Sequence, residues 1–277
     1  MRLGGPVFGK PADPAAWVEA HRRSRYTAAY APAVKEEAQL AEYVAAAKNA
    51  NLIIAEVGAW SNPISPNPDE RAKALDKCRQ SLEQAEKIGA RCCVNIAGSR
   101  NKKKWDGPDP ENFSDETFQM IVDCTRQIID AVKPKRTFFA LETMPWIFPD
   151  SADSYLDLIR AIDRKQFAVH LDPVNIINCP RRAFRSGDCI RECFAKLGPH
   201  IRSCHAKDIK LDEKLTTHLD ECRPGTGVLD YKVFLKELSR LDPDTPLMLE
   251  HLKAAEEYDA AAAYVRSIAA ETGVNFV

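Results

Sequence analysis

Apolar residues recur along this chain in two alternating rhythms. Short, nearly continuous runs stand at 2–8 (RLGGPVF), 26–31 (YTAAYA), 52–57 (LIIAEV) and 92–97 (CCVNIA). Four more follow at 137–142 (TFFALE), 167–172 (FAVHLD), 201–206 (IRSCHA) and 246–250 (PLMLE). Continuous runs of this length read as strands covered on both faces. Between them, apolar positions recur every three or four residues, as in amphipathic helices. The stretch 67–89 opens on Asn67 as N-cap with Pro68 and Glu70 behind it and closes on Gly89. Another helix opens on Ser114, and the last is stopped by Gly273. Eight strand–helix units at this length predict an α/β fold, a (β/α)8 TIM barrel, with residues 1–277 as a single domain. A doubly wound open sheet would carry a glycine-rich phosphate turn after its first strand, and RLGGPVFGKP is a poor match.

Loop lengths add a direction. Connections from helix to strand are tight, whereas those leaving strands are long: 58–67, 98–113, 143–150, 173–187 and 207–229. In a barrel the long set gathers on the carboxyl face of the strands, where binding and catalysis are built.

Composition narrows the partners. Thirty-nine Lys and Arg nearly balance forty Asp and Glu, so the net charge is −1. Nucleic-acid binding usually needs a basic excess, and no nucleic-acid partner is expected. No segment has the length and apolarity of a membrane span or signal peptide, so no membrane partner is expected either. Nine scattered cysteines with no C-x-x-C pair match neither a zinc ribbon nor a disulfide framework. They read as reduced thiols and point to a cytoplasmic location.

Candidate chemistry sits at the ends of the last four strands. Glu142, Asp172, His205 and Glu250 each close one of four successive apolar runs. Neighbouring strand ends in a closed barrel are neighbours in space, so these side chains can meet at one point. Three carboxylates and an imidazole form a hard, oxygen-rich set suited to one divalent cation. Mn²⁺ is the first choice, with Mg²⁺, Co²⁺ or Zn²⁺ as alternatives. A cation would also explain why a buried strand ends in the charge of Glu142.

LETMPW, HLDPVN, CHAKD, RPGTGVLDY and LMLEH together make the chain resemble the xylose isomerase-like TIM-barrel superfamily. That group includes sugar and sugar-phosphate isomerases and epimerases, inosose dehydratases and endonuclease IV. The resemblance implies a metal quartet on Glu142, Asp172, His205 and Glu250, with Glu142 and Glu250 as the catalytic acid–base pair. The activity it implies is isomerisation or epimerisation of a small ketose, keto-polyol or sugar phosphate through a metal-stabilised enediolate. The alternatives are a dehydratase or lyase on an inosose or oxidised glycoside, and a non-catalytic metal- and sugar-binding barrel. The expected partner is a small-molecule sugar or sugar phosphate, with a homo-oligomer left open. Asn175 stands where several relatives carry a substrate-holding histidine, and Asn95 and His218 do not supply the extra ligands of a three-zinc nuclease.

Other residues complete the expected substrate shell: Glu56, Trp60, Trp146, Asn175, Lys207 and His251. Glu56 could bind a sugar hydroxyl or form a buried ion pair. Trp60 and Trp146 could stack on a sugar or anchor their own loops. Lys207 lies on the same strand face as His205 and could meet a substrate oxygen, or pair with Asp208 or Glu221. His251 could reach in from the rim or bond a loop. His170 is expected to be a satisfied core histidine. The basic stretches 100–105 and 181–185 could receive an anionic tail or be solvated charge. The lone GxG of RPGTGVLDY is weak evidence for phosphate cradling.

Overall fold

Strand-forming runs without polar interruption fold into eight short parallel strands in the computed structural model, which describes residues 1–34 and 36–277. In chain order they are β1 (Arg2–Gly4), β2 (Ala28–Tyr30), β3 (Ile53–Gly58), β4 (Cys92–Asn95), β5 (Phe139–Glu142), β6 (Phe167–Leu171) and β7 (Ile201–Ala206). A hairpin, β8 (Asp208–Asp212) and β9 (His218–Cys222), precedes the last barrel strand, β10 (Pro246–Leu249). The barrel closes because β1 pairs with both β2 and β10, Gly4 facing Ala28 and Leu3 facing Leu247. Gly4 is required there, since a Cβ would lie 2.4 Å from the Ala28 carbonyl oxygen.

Helices cover the outside: α1 (Pro14–Arg23), α2 (Glu37–Asn49), α3 (Pro68–Ile88), α4 (Asp115–Val132), α5 (Ala152–Ile162), α6 (Pro180–Phe184), α7 (Ser186–Leu197), α8 (Tyr231–Leu238) and α9 (Ala255–Thr272). The Asn67 side chain accepts from the amides of Asp69 and Glu70 at the start of α3, and Gly89 ends it in the left-handed region at φ 70°. α4 turns Ile121, Val122, Ile128 and Ile129 inward. Fully burying side chains of this size stabilises the fold by about 1.5–3 kcal/mol each.

The β8–β9 hairpin differs from the expected loop at 207–229. It is antiparallel, from Asp208 opposite Cys222 to Asp212 opposite His218. Asp208–Asp212 (DIKLD) alternates polar and apolar as a half-exposed strand does, but its partner HLDEC, mostly exposed, does not, and the pair lies within a long polar connection. The first two strands are also shorter than their runs; just past β1, Pro6 has no amide proton with which to extend that ladder. Among the described residues, no helix is long and apolar enough to cross a membrane.

Candidate metal centre and active site

The barrel register carries Glu142, Asp172, His205 and Glu250 to one floor at the carboxyl ends of β5, β6, β7 and β10. Each offers a ligand atom within 4.8 Å of the others. His205 Nδ1 lies 2.7 Å from Glu250 Oε1 and 3.2 Å from Glu142 Oε1. β6 and β7 stand between β5 and β10 in the barrel order, so the two glutamates approach from opposite sides. Asp172 and His205 are fully buried and Glu142 is 5% exposed.

Lys207 enters the same floor. Its Nζ lies 2.6 Å from Glu250 Oε1, 2.8 Å from Asp172 Oδ2 and 3.5 Å from Glu142 Oε1. The pairing expected with Glu221 is looser, at 3.6 Å. Asp208 instead turns the other way, accepting the amides of Ile209, Gly225, Gly227 and Leu229 at 2.8–3.0 Å. The GxG motif therefore wraps an internal carboxylate. A Cβ on Gly227 would sit 2.4 Å from Asp208 Oδ1, which is why glycine stands there.

These charges decide one another's protonation. Burial alone would raise Glu142, but the His205 imidazole and Lys207 ammonium outweigh it and hold the carboxyl well below its usual range. Burial opposes ionisation of Glu250 too, yet His205 brings it down to about 2. Burial pushes Asp172 up to about 7, with Lys207 opposing and the two glutamates adding to the rise. Burial would lower His205, but Glu250, Glu142 and Glu56 hold it well above its ordinary value.

The fit to a cation shows in the orphaned oxygens. Asp172 Oδ2 and Glu250 Oε1 are buried and take part in no well-aligned hydrogen bond, although each faces Lys207 at ion-pair distance. A donor set of three carboxylates and an imidazole with free buried lone pairs suits a hard divalent ion. No extra histidines join it from β3 or β4, where Glu56 and Asn95 stand; Asn95 is bound to Ser61.

The remaining expected residues divide. Glu56 is 2% exposed, and its oxygens meet Ser203 Oγ at 3.2 Å and His205 Nε2 at 3.3 Å. It pairs with the buried His205 ring, as the ion-pair alternative expects, and it also lines the cavity above the floor. Asn175 donates to Glu142 Oε1 at 3.2 Å and to the Thr143 carbonyl at 2.9 Å, steadying the glutamate. Trp60 lies over Gly58, 37% exposed. Trp146 anchors its loop by donating Nε1–H to the Asp106 carbonyl at 2.7 Å. His251 pairs at the rim with Glu221 at 3.1 Å. His170 is buried but not satisfied: neither ring nitrogen has a hydrogen-bond partner, and its ring abuts that of His205 at 4.0 Å.

Above the floor opens a cavity of about 630 Å³, lined by Glu142, Glu250, Lys207, Trp60 and Trp146 among others. Tyr30, Trp105 and Glu221 also line it, and sequence reasoning did not single them out as site residues. Trp105 closes the basic run 100–105, where four of the five preceding residues are charged. Of the basic side chains in the stretches 100–105 and 181–185, Lys104 lines the cavity, and it pairs with Asp106 at 3.6 Å. Arg100 and Arg182 bond the carbonyls of Ile64 and Ile176 instead. A surface groove beside α4 and α5 is similar in size, about 610 Å³, but Phe118, Phe148, Asp157 and Arg160 there form no converging acid set.

Fold and floor together define a (β/α)8 barrel with an acidic, cation-competent centre at its carboxyl face. The chain belongs to the family described as xylose isomerase-like TIM barrel, whose family model matches residues 15–268. It is similar in structure to D-psicose 3-epimerase from Clostridium cellulolyticum H10, solved with D-tagatose, at 15% identity, TM-score 0.71, and 99% and 100% of the two chains. The probable 3-DHS dehydratase of Bacillus anthracis, involved in petrobactin synthesis, aligns at 18% identity, TM-score 0.71, and 96% and 97% coverage. Endonuclease IV from Thermus thermophilus aligns at 14% identity, TM-score 0.71, and 98% and 100% coverage. Identities this low show a shared fold. No curated protein matches the sequence.

Proposed function

We propose that this protein is a divalent-metal-dependent isomerase or epimerase of a small ketose, keto-polyol or sugar phosphate. The observation that carries the reading is the placement of Glu142 and Glu250 on opposite sides of Asp172 and His205, under one cavity. Glu142, Asp172, His205 and Glu250 would hold the cation. When bound, a divalent cation supplies Lewis-acid stabilisation of negative charge growing on a substrate oxygen.

The chain's own residues supply the proton chemistry. Both glutamates are held ionised near neutral pH, so either can take a proton from the carbon beside a carbonyl. Asn175 fixes the Glu142 carboxylate through one oxygen. The glutamate that takes the proton can return it to the neighbouring carbon, which moves the carbonyl; inversion needs the opposite glutamate first to take up a proton from solvent and then deliver it to the other face. Trp60 and Trp146 wall the cavity and limit water at the reacting carbons.

Incubation of candidate ketoses with the protein and Mn²⁺ in D₂O tests the proposal. Deuterium should enter at a carbon beside the carbonyl, and Glu250→Gln should abolish that exchange while leaving the fold intact. Exchange that survives in Glu250→Gln would refute the assigned roles.

A further inference from the structure

A cation held by Glu142, Asp172, His205 and Glu250 leaves one buried charge unexplained, the ammonium of Lys207. It stands among the ligand atoms themselves, at ion-pair distance from three of the four proposed ligand side chains. The two oxygens nearest it, Asp172 Oδ2 and Glu250 Oε1, are those without a well-aligned hydrogen bond. Lys207 is 2% exposed, so this is a built position and not the drift of a surface side chain.

Its backbone is fixed from both sides. Tyr231 Oη donates to the Lys207 carbonyl at 2.7 Å, and Asp208, next in sequence, is locked by four amides. The side chain therefore leaves β7 from a rigid point two residues beyond His205. At the rim, Glu221 Oε2 offers a second berth, 3.6 Å from Nζ.

We propose that Lys207 is a tethered cation that competes with the divalent ion for Asp172 and Glu250 and so sets how tightly the centre loads. The inference rests on the metal-site reading. Three carboxylates gathered out of water are costly without a counter-charge, and the ammonium supplies one before loading. A divalent ion placed on the same oxygens meets a like charge a few ångströms away. Loading then displaces the ammonium toward Glu221, at the cavity wall. Metal affinity and lysine position are coupled, and the coupling works in both directions.

Mn²⁺ titration of chelator-stripped protein, wild type against Lys207→Met, tests this. A like charge within about 4–6 Å shifts such an equilibrium by one to three powers of ten, so Lys207→Met should bind Mn²⁺ roughly tenfold to a thousandfold more tightly. Stripped Lys207→Met should also melt below stripped wild type, and Mn²⁺ should raise its melting temperature by more. Lys207→Gln, similar in length and uncharged, takes its place if the Met variant fails to fold. Equal or weaker Mn²⁺ binding in the uncharged variant overturns the proposal while leaving the metal site standing. Wild-type protein that binds no Mn²⁺ sinks the metal reading itself.

Discussion

The Glu56 carboxylate stands 3.3 Å from Nε2 of His205, while Nδ1 of the same ring faces Glu250 at 2.7 Å. One imidazole thus joins a buried brace to the acidic floor. A carboxylate at Nε2 holds the proton there and leaves the Nδ1 lone pair for a metal, the usual support for a ligating histidine.

Removing that brace should loosen the centre. Glu56→Ala is expected to weaken Mn²⁺ binding by roughly 10- to 100-fold, as loss of such partners typically does. Glu56→Gln keeps an acceptor and should retain more affinity. Calorimetric titration of both variants checks this, and an Ala variant that binds like wild type would show the contact to be incidental.

Asp208 is expected to matter for stability. Its carboxylate is 1% exposed and accepts four backbone amides, those of Ile209, Gly225, Gly227 and Leu229. Asp208→Ala leaves those donors unpaired, at about 1–3 kcal/mol for each that stays buried. A loss of about 2–5 kcal/mol by denaturant unfolding is the expected result. Gly227→Ala should destabilise as well, since its Cβ would lie 2.3 Å from the Ile209 carbonyl oxygen.

Metal loading should strengthen as pH rises. Burial, with Lys207 opposing and the two glutamates adding, puts Asp172 at about 7, so below that pH a proton occupies a ligand. His205 is held above its ordinary value by its carboxylate neighbours despite burial, and it too must release a proton to ligate. Each proton released on binding makes the apparent affinity fall by ~10-fold per pH unit on the acid side. Mn²⁺ titrations between about pH 6 and 8 measure the slope, and a flat profile would contradict the assigned protonation states.

The two tryptophans should separate by role. Trp60 is 37% exposed at the cavity, while Trp146 is tied to the Asp106 carbonyl. Trp60→Ala should raise KM for the substrate by a few fold, with kcat little changed, as suits loss of a stacking face worth about 0.5–1.5 kcal/mol. Trp146→Ala should instead lower the melting temperature, because its loop loses an anchor.

The barrel was legible because its strands are covered on both faces, which leaves uninterrupted runs such as FALE and FAVHL in the sequence. The four floor residues were legible for the same reason: a charge at the end of a buried strand stands out. For Glu56 the sequence left a sugar contact and a buried ion pair both open, because it sits inside LIIAEV; its contact with His205 depends on how β3 and β7 face each other across the barrel. The β8–β9 hairpin was hidden because only DIKLD alternates polar and apolar, over five residues, while its partner HLDEC does not. His170 was located correctly in the core, but its unbonded ring nitrogens, with Glu56 at 3.6 Å and the His205 ring alongside, depend on neighbours brought from β3 and β7. The place of Lys207 was equally out of reach, because strand alternation gives its face and not the carboxylates it meets.

The most direct measurement is the metal stoichiometry of purified protein after chelator treatment and readdition of Mn²⁺. Wild type should take up one ion per chain, reversibly, and Asp172→Ala and His205→Ala should each lose most of that binding while remaining folded. Wild type that stays metal-free at saturating Mn²⁺, or an Asp172→Ala variant that loads as fully as wild type, would contradict the account.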